Sequence, residues 1–237
     1  TDPVLSCLGS QYAGWSLSFV QNDDNFSALG SGPCRALAGK EDIFKDIGYK
    51  DKFFSTVVVL EVDQKPPQEI IDKVVTDCDI SEKNLTVILT PTRSLCGTTQ
   101  VVGRVLEVGL HKVHEPGFPI DKVVDGFGSA PLPPPAPDFL IGMGRTNDAI
   151  LYGGLVHLYV DTPNDDAEEL AKRLPSSTSK DYGKPFADIF KEYKYDFYQI
   201  DKMLFSPAKV IVSSLKTGKS YTSGNIDLSL MDNSFNK

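Results

Sequence analysis

Two apolar, β-branched runs with a helix-length segment between them constrain the fold of this chain more than any other feature of its sequence. Residues 56–62 are long enough for a buried strand, and Leu85–Leu89 is a second such run. Between them, Pro66 and Pro67 favour a helix start, and the apolar residues that follow share one helix face as far as about Asp77. A strand–helix–strand order of this length predicts an α/β or α+β layer.

The remaining elements follow from the same kinds of pattern, and no internal repeat is visible. Alternation predicts a strand over residues 14–20, and residues 31–33 form a turn. Further predicted elements are a helix over 35–47, a long apolar helix over about 98–113, a strand over 154–161, a helix over 165–174, a helix that begins at Pro185, and a hairpin of 210–214 with 219–222.

The one clear break in composition lies in residues 115–137, which contain seven prolines and three glycines. Such a stretch is either a linker or an ordered loop that walls a pocket. We therefore predict a first α/β domain over residues 1–115, a Pro/Gly-rich linker or pocket-wall loop over 116–137, and a second α/β domain over 138–237.

Composition and charge exclude several classes of protein. With 237 residues, 41% of them hydrophobic, the chain can bury one large core or two small ones. No apolar run approaches the roughly 20 residues of a membrane-spanning helix, and nothing at the start resembles a signal peptide. The formal net charge is −8 and there is no Lys/Arg run, so nucleic acid is a poor partner. We expect a soluble, cytoplasmic protein that binds neither membrane nor nucleic acid.

Cysteines and histidines give no clear metal site. Cys7, Cys34, Cys78 and Cys96 are widely spaced, unlike the ligands of a zinc or redox motif, and the three histidines form no ligand set with them. We expect reduced, buried thiols and no bound metal or other cofactor.

The most informative segment for function is residues 100–113. At about 100° per residue, four polar side chains fall within an arc of roughly 60° on this predicted helix. They are Gln100, Arg104, Glu107 and His111. The rest of the surface is apolar or glycine, with one lysine as the exception. A surface helix normally gives about half its circumference to polar residues, so this narrow polar seam predicts a helix buried nearly all round.

Within the seam, Arg104 and Glu107 are three residues apart and close enough to touch. One interpretation is an ordinary helix ion pair, worth about 0.2–0.5 kcal/mol on a surface. Burial weakens that interpretation, because desolvating two charges costs several kcal/mol per ion. A catalytic role and a structural ion pair both stay open from the pattern alone, and Gln100 and His111 are neighbouring candidates for substrate binding.

Three further segments offer candidate binding residues, and each has an ordinary structural alternative. Ser31 and Arg35 flank a turn that could present N–H groups to an anion, or simply reverse the chain. Asn147 and Asp148 lie in a Gly-rich loop that could line a pocket, although helix capping explains them as well. Lys184 ends a polar loop that could bind a phosphate or carboxylate tail, or could be only solvated.

Thr1 suggests a different chemistry. An N-terminal threonine can be a nucleophile activated by its own amine, which would make this chain an N-terminal-threonine amidohydrolase. A fragment boundary would give the same first residue.

Six long strings are informative together. They are CLGSQYAGW (7–15), GSGPCRAL (30–37), PTRSLCGTTQVVGRVLEVG (91–109), TNDAILYGG (146–154), LPSSTSKDYGKPF (174–186) and YDFYQID (195–201). In this order they resemble the methenyltetrahydromethanopterin cyclohydrolase family, and the similarity continues weakly through the final hairpin. Members of that family begin well upstream of Thr1, so the chain is expected to lack the N-terminal portion of the family.

The resemblance implies a fold, an activity and a site. The family fold is α+β, with two α/β-layered domains and a deep pocket between them, usually assembled as a homotrimer. The activity is reversible hydrolysis of methenyl-tetrahydromethanopterin to its formyl form, without metal or prosthetic group. It belongs to the one-carbon metabolism of methanogenic and related archaea and of some methylotrophic bacteria. The catalytic Arg and Glu of the family, in a G-R-x-x-E pattern, match Arg104 and Glu107.

In this interpretation Glu107 is the general base that takes a proton from the attacking water, and Arg104 holds it ionised. The alternatives are a non-catalytic pterin- or nucleotide-binding protein and a folate-type cyclohydrolase. Simple binding would not require Arg104 and Glu107 at this spacing. A folate-type enzyme usually has a dinucleotide-binding fold, and no Gly-rich fingerprint follows a strand in this sequence.

Overall fold

The computed structural model describes residues 2–21, 24–115 and 117–236. These residues form helices and two four-stranded sheets, each sheet in its own compact unit, which confirms the predicted α+β fold. The first unit is Val4–Thr92, and the second unit contains the described residues from Arg93 onward. Among the helices of the described residues, none is both long enough and apolar enough to span a bilayer.

The first unit is built on a sheet with the strand order β1-β2-β3-β4. Its strands are β1 Trp15–Gln21, β2 Asp24–Ser31, β3 Thr56–Leu60 and β4 Leu85–Leu89. Its helices are α1 Gly9–Gln11, α2 Cys34–Ala38, α3 Ile43–Ile47 and α4 Gln68–Cys78. A π-helical turn covers Val4–Leu8 and a 3₁₀ turn covers Glu82–Asn84. β3 and β4 are parallel, whereas the other two neighbouring pairs are antiparallel. The strand–helix–strand prediction is confirmed.

Helix α4 shows why this layer forms. It begins after Pro67, whose extended backbone ends the preceding loop, and it ends at Asp79, which adopts a left-handed conformation with φ 54°. Ile70, Val74 and Cys78 recur at four-residue spacing on one face and are buried in one cluster with the inward residues of the sheet. The crossover helix between the parallel strands therefore covers the sheet and completes this core.

The second unit is built on a sheet with the strand order β5-β6-β7-β8. Its strands are β5 Val123–Ser129, β6 Leu155–Val160, β7 Lys209–Ser214 and β8 Ser220–Gly224. Its helices are α5 Leu95–Val102, α6 Val105–His114, α7 Phe139–Leu151, α8 Asn164–Arg173, α9 Phe186–Glu192 and α10 Leu228–Phe235. The 3₁₀ turns cover Ile120–Lys122, Ser176–Thr178, Phe197–Gln199 and Lys202–Leu204. β6 and β7 are parallel, and β7 and β8 form the predicted antiparallel hairpin.

One face of this second sheet is covered by helices. Val156, Leu158 and Val160 alternate along β6 and are fully buried. Helix α6 packs against β5 and β6, and α8 packs against β7 and β8. The helix that carries the predicted polar seam therefore lies on this sheet.

The predictions for residues 35–47 and 142–148 are wrong. The helix expected over residues 35–47 is two short helices, because Gly39 ends α2 in a left-handed conformation with φ 58°. Residues 142–148, expected as a loop, lie inside α7, whose N-cap is Asp138. The Pro/Gly-rich stretch contains β5, which is antiparallel to β6.

Helices α5 and α6, within the segment assigned above to the first domain, belong to the second unit, which begins at Arg93. The prediction that residues 116–137 divide the chain into two folding domains stays a prediction. Thr1 lies outside the described residues, so the prediction that it is a nucleophile also stays a prediction.

Candidate active site

The long helix predicted over residues 98–113 is interrupted. Helix α5 ends at Val102 and α6 begins at Val105, with Gly103 and Arg104 between them. The Arg104 N–H donates to the Val101 carbonyl at 3.1 Å, three residues back, a tight turn typical of a helix end. The single arc of four polar side chains assumed an unbroken helix. The prediction that all four side chains share one arc is therefore wrong for Gln100, which lies in α5 and is half-buried.

The interruption gives Glu107 a new electrostatic position. Arg104 is the N-cap residue of α6, with φ −86° and ψ 9°, so Glu107 lies in the first turn of that helix. Aligned peptide dipoles leave partial positive charge at a helix N-terminus, which stabilises a negatively charged side chain there. In one continuous helix Glu107 would lie in the middle, where this stabilisation is absent. The break therefore places the Glu107 carboxyl beside the N-terminal peptide groups of α6.

Glu107 is also buried. Its residue is 3% exposed, whereas Arg104 and His111 are half-buried, and no residue of α6 is fully exposed. Val105 and Gly109 of α6 both lie against the sheet, and at 100° per residue Glu107 lies about 160° around the helix from each of them. The candidate carboxylate is therefore on the side of α6 turned away from the sheet of its own unit.

Glycines bring α6 close to that sheet. A Cβ added at Gly128 of β5 would lie 3.0 Å from Val105 Cγ1 and 3.3 Å from the Leu106 nitrogen. A Cβ added at Gly109 of α6 would lie 3.3 Å from Val156 Cγ1. The first turn of α6, which carries Glu107, is therefore placed by contacts that leave no space for a methyl group at Gly128 without a shift.

We expect Gly128→Ala to lower the free energy of unfolding by about 1–3 kcal/mol, because the added methyl group forces the first turn of α6 away from the strand. Urea unfolding followed by circular dichroism measures the change. Ser129→Ala, one position along the same strand at an exposed residue, is the control and should change stability by less than about 0.5 kcal/mol. Equal stability of Gly128→Ala and the wild type would contradict the close approach.

Ser31 and Arg35, predicted to bind an anion, have their polar groups directed to their own unit. Ser31 Oγ donates to the Gln11 carbonyl at 2.7 Å. The Arg35 guanidinium is fully buried and binds Glu41 through two nitrogens at 2.7 and 2.8 Å. Its third nitrogen donates to the Leu8 and Gly9 carbonyls at 2.9 and 3.1 Å. In this structure both residues hold the segment before β1 in place.

Asn147 and Asp148 lie in the interior of α7 and cap neither of its ends. Asn147 Nδ2 donates to the Met143 carbonyl one turn earlier, at 2.9 Å. Asp148 is fully buried, and its Oδ1 accepts the Phe186 backbone N–H, at 2.8 Å, in the first turn of α9. Asp148 therefore satisfies one of the N–H groups that the start of a helix leaves without a partner in that helix.

The two remaining candidates have carboxylate neighbours. Lys184 is exposed and donates to both oxygens of Glu192, at 2.7 and 2.8 Å. His111 Nε2 lies 3.8 Å from a Glu115 oxygen, one turn along α6. Arg104, Glu107 and His111 are brought together by one short segment of chain, and Gln100 precedes them across the helix break. Ser31 and Arg35 belong to the first unit, whereas these four residues belong to the second.

The cysteines follow the sequence prediction only in part. All four are free, and Cys34 and Cys78 are buried, but Cys7 is half-buried and Cys96 is exposed. Burial raises the pKa of the Cys34 thiol far above its usual value and that of Cys78 to about 11, so both buried thiols stay protonated and unreactive near neutral pH. No group of three or more His, Cys, Asp or Glu residues within the described part of the chain is arranged to hold a metal ion.

Sequence reasoning passed over one residue of α6. Lys112 is the single lysine on the otherwise apolar side of the predicted helix, and the structure buries it completely. The signal was present, since a lysine among apolar helix positions must either extend to solvent or find buried partners.

Comparison with known proteins places this chain in a family. The profile of the family described as Cyclohydrolase (MCH) matches residues 1–235. Methenyltetrahydromethanopterin cyclohydrolase of Methylobacillus flagellatus is 61% identical over 99% of this chain and 70% of its own length. The proteins of the same name from Methylobacterium organophilum and Methanothermobacter marburgensis are 53% and 45% identical, over 99% and 98% of this chain and 72% of their own lengths. This chain therefore belongs to the cyclohydrolase (MCH) family, as its six sequence strings indicated.

Proposed function

We propose that this chain catalyses the reversible hydrolysis of methenyl-tetrahydromethanopterin to formyl-tetrahydromethanopterin in one-carbon metabolism. The observation that carries the proposal is the 61% identity over 99% of the chain to a protein that bears this activity as its name. The geometry fits the chemistry. Arg104 is the N-cap residue of α6, and the buried carboxyl of Glu107 lies in the first turn of that helix.

The reaction needs three things from the protein. The bridging carbon of the substrate shares the positive charge of its two nitrogens, so it is already electrophilic and a water oxygen can bond to it directly. The protein must orient that water, accept one of its protons, and allow a proton to reach the nitrogen that leaves as one carbon–nitrogen bond breaks. The products are the neutral formyl compound and one released proton.

Glu107 is the proposed general base. Its ionised carboxylate can take the proton of the attacking water, and its negative charge favours the cationic substrate. Burial makes that charge costly, and the first turn of α6 and the guanidinium of Arg104, three residues away, both oppose this cost. Arg104 is proposed to keep Glu107 ionised and oriented.

The substrate-binding residues are proposed more narrowly than the sequence alone suggested. Gln100 and His111 flank the catalytic pair along the chain and are half-buried, so they remain candidates, together with Asn147 and Lys184. Ser31, Arg35 and Asp148 already use polar groups to hold their own units, which supports a structural role for these three.

The cellular setting and assembly are proposed from the family alone. We propose that the protein works in the cytoplasm without a metal or prosthetic group, and that it assembles as a homotrimer, as the resemblance implies. The metabolic route, methanogenesis or methylotrophic oxidation, sets the direction of flux. Light scattering coupled to size-exclusion chromatography would test the trimer, for which the expected mass is three times the 25.9 kDa of this chain.

The activity is tested by following the near-ultraviolet absorbance of methenyl-tetrahydromethanopterin after the protein is added. We expect a rapid, protein-dependent decay with this substrate and a much slower one with methenyl-tetrahydrofolate. A folded protein that binds the pterin but leaves its absorbance unchanged would instead support the non-catalytic alternative.

A further inference from the structure

Lys112 is a buried charge that the proposed reaction does not use. Its residue is 0% exposed, and its Nζ donates to the Met203 carbonyl and to Thr178 Oγ1, the latter at 3.4 Å. Burial lowers the pKa of this amine to about 8, an effect that the carboxylate of Asp201 opposes. Near neutral pH the side chain is therefore still a charged donor.

Both acceptors of Lys112 lie in a segment that is held together by hydrogen bonds to its own carboxylates, Asp181 and Asp201. Asp201 accepts from Ser179 Oγ at 2.7 Å and from the Met203 nitrogen at 3.0 Å. Asp181 accepts the Asp201 nitrogen at 2.9 Å and the Tyr193 hydroxyl at 2.9 Å. These bonds connect residues 179–181 with residues 201–203, so the acceptors of Lys112 belong to a fixed frame. We call residues 176–204 the clamp segment.

Lys112 adds a contact near the C-terminal end of α6 to those that hold its first turn. The first turn packs against Gly128 through Val105 and Leu106, and Gly109 approaches Val156 one turn later. Apolar packing of this kind is not directional. The hydrogen bonds of Lys112 are buried and directional, and they join the other end of the same helix to the clamp segment.

We propose that Lys112 is a positioning residue for Glu107, because it ties α6 to the clamp segment and thereby fixes where the first turn of that helix holds the carboxylate. The two residues lie five positions apart on one helix, about 7.5 Å along its axis, so Lys112 acts through the helix and not by contact with the substrate. The inference rests on the proposed function and adds a residue to it.

The test compares kcat and KM of Lys112→Met with those of the wild type. We expect kcat to fall by about tenfold with KM nearly unchanged, since a small displacement of a catalytic group lowers the rate of the chemical step more than binding. Lys112→Arg keeps a charged donor and should recover part of the lost kcat. Lys202→Met removes a lysine of the same segment that is 73% exposed, and it should stay within about twofold of the wild type.

A second measurement separates positioning from general structural support. In a Glu107→Gln background, Lys112→Met should lower kcat no further, because there is no longer a base to position. If it lowers kcat equally in both backgrounds, Lys112 is only structural and the proposal is overturned. If the wild type is active and Lys112→Met has the same kcat, the proposal is also overturned. If the wild type itself is inactive, the proposed function is wrong.

If Lys112→Met does not fold, Asp201→Asn tests the same proposal, because Asp201 lies in the clamp segment that Lys112 binds. It loosens the clamp segment and removes a carboxylate that favours the charged form of Lys112, and we expect it to lower kcat with KM nearly unchanged. A folded Asp201→Asn protein with wild-type kcat would overturn the proposal.

Discussion

Replacing Glu107 with glutamine is expected to lower kcat by about 100-fold or more while the protein stays folded, because removal of a general base typically costs 10²–10⁴ in rate. Glutamine has nearly the same shape as glutamate and can still orient a water molecule through its amide oxygen. It cannot accept a proton at neutral pH and carries no charge, so both the proton transfer and the attraction of the cationic substrate are lost. The decay of substrate absorbance under saturating substrate measures kcat directly.

Glu115→Gln is the matched control for this experiment. It is the same substitution on the residue that follows α6, where the carboxylate is 28% exposed and lies 3.7 Å from Lys202 and 3.8 Å from His111. Such long, partly exposed ion pairs contribute little, so this variant should stay within about twofold of the wild type. If Glu107→Gln retains turnover within about threefold of the wild type, the water is deprotonated by another group and Glu107 is not the base.

The sequence predicted the elements whose patterns are local. Leu85–Leu89 is a strand with the predicted bounds, and α4 begins and ends within about two residues of its prediction. In both cases the apolar periodicity and the flanking residues agree. The parallel pairing of β3 with β4 follows, since a helix of this length between two buried strands acts as a crossover.

The break before α6 was harder to foresee. Glycine at 103 is a weak helix former, but an isolated glycine inside a helical pattern is often tolerated. Here the tight turn at Arg104 and the close packing of Val105 against Gly128 make a new helix start, and that packing joins residues far apart in sequence. The pairing of Arg104 with Glu107 rests on a short-range pattern and stays a prediction, whereas the setting of Glu107 at a helix N-terminus depends on tertiary contacts.

Arg35 shows the same limit for a binding prediction. A Gly-rich turn followed by an arginine can bind an anion, but an ordinary tight turn explains the same pattern. Its acceptors at Leu8 and Gly9 are 27 and 26 residues away, and the side chain of Glu41 reaches it only because Gly39 turns the chain back. Only the folded chain brings these partners to the guanidinium.

Replacing Arg35 with methionine is expected to lower the free energy of unfolding by about 3–5 kcal/mol, because it leaves the 14% exposed carboxylate of Glu41 without its cation. Two carbonyl groups also lose their donor, and the contacts of the guanidinium with the rings of Tyr12 and Phe44, at 5.1 and 5.4 Å, are lost. Urea unfolding followed by circular dichroism measures the loss.

An exposed ion pair of the same length in the same unit provides the control for Arg35. Lys45 and Asp42 also approach to 2.7 Å, but their side chains are 81% and 89% exposed, so Lys45→Met should change stability far less than Arg35→Met does. The double variant Arg35→Met with Glu41→Met should be more stable than Arg35→Met alone, because it removes the buried carboxylate that the single substitution leaves unpaired. A loss below about 1 kcal/mol in Arg35→Met would instead mean that the pair is solvated and that the guanidinium remains accessible to an anion.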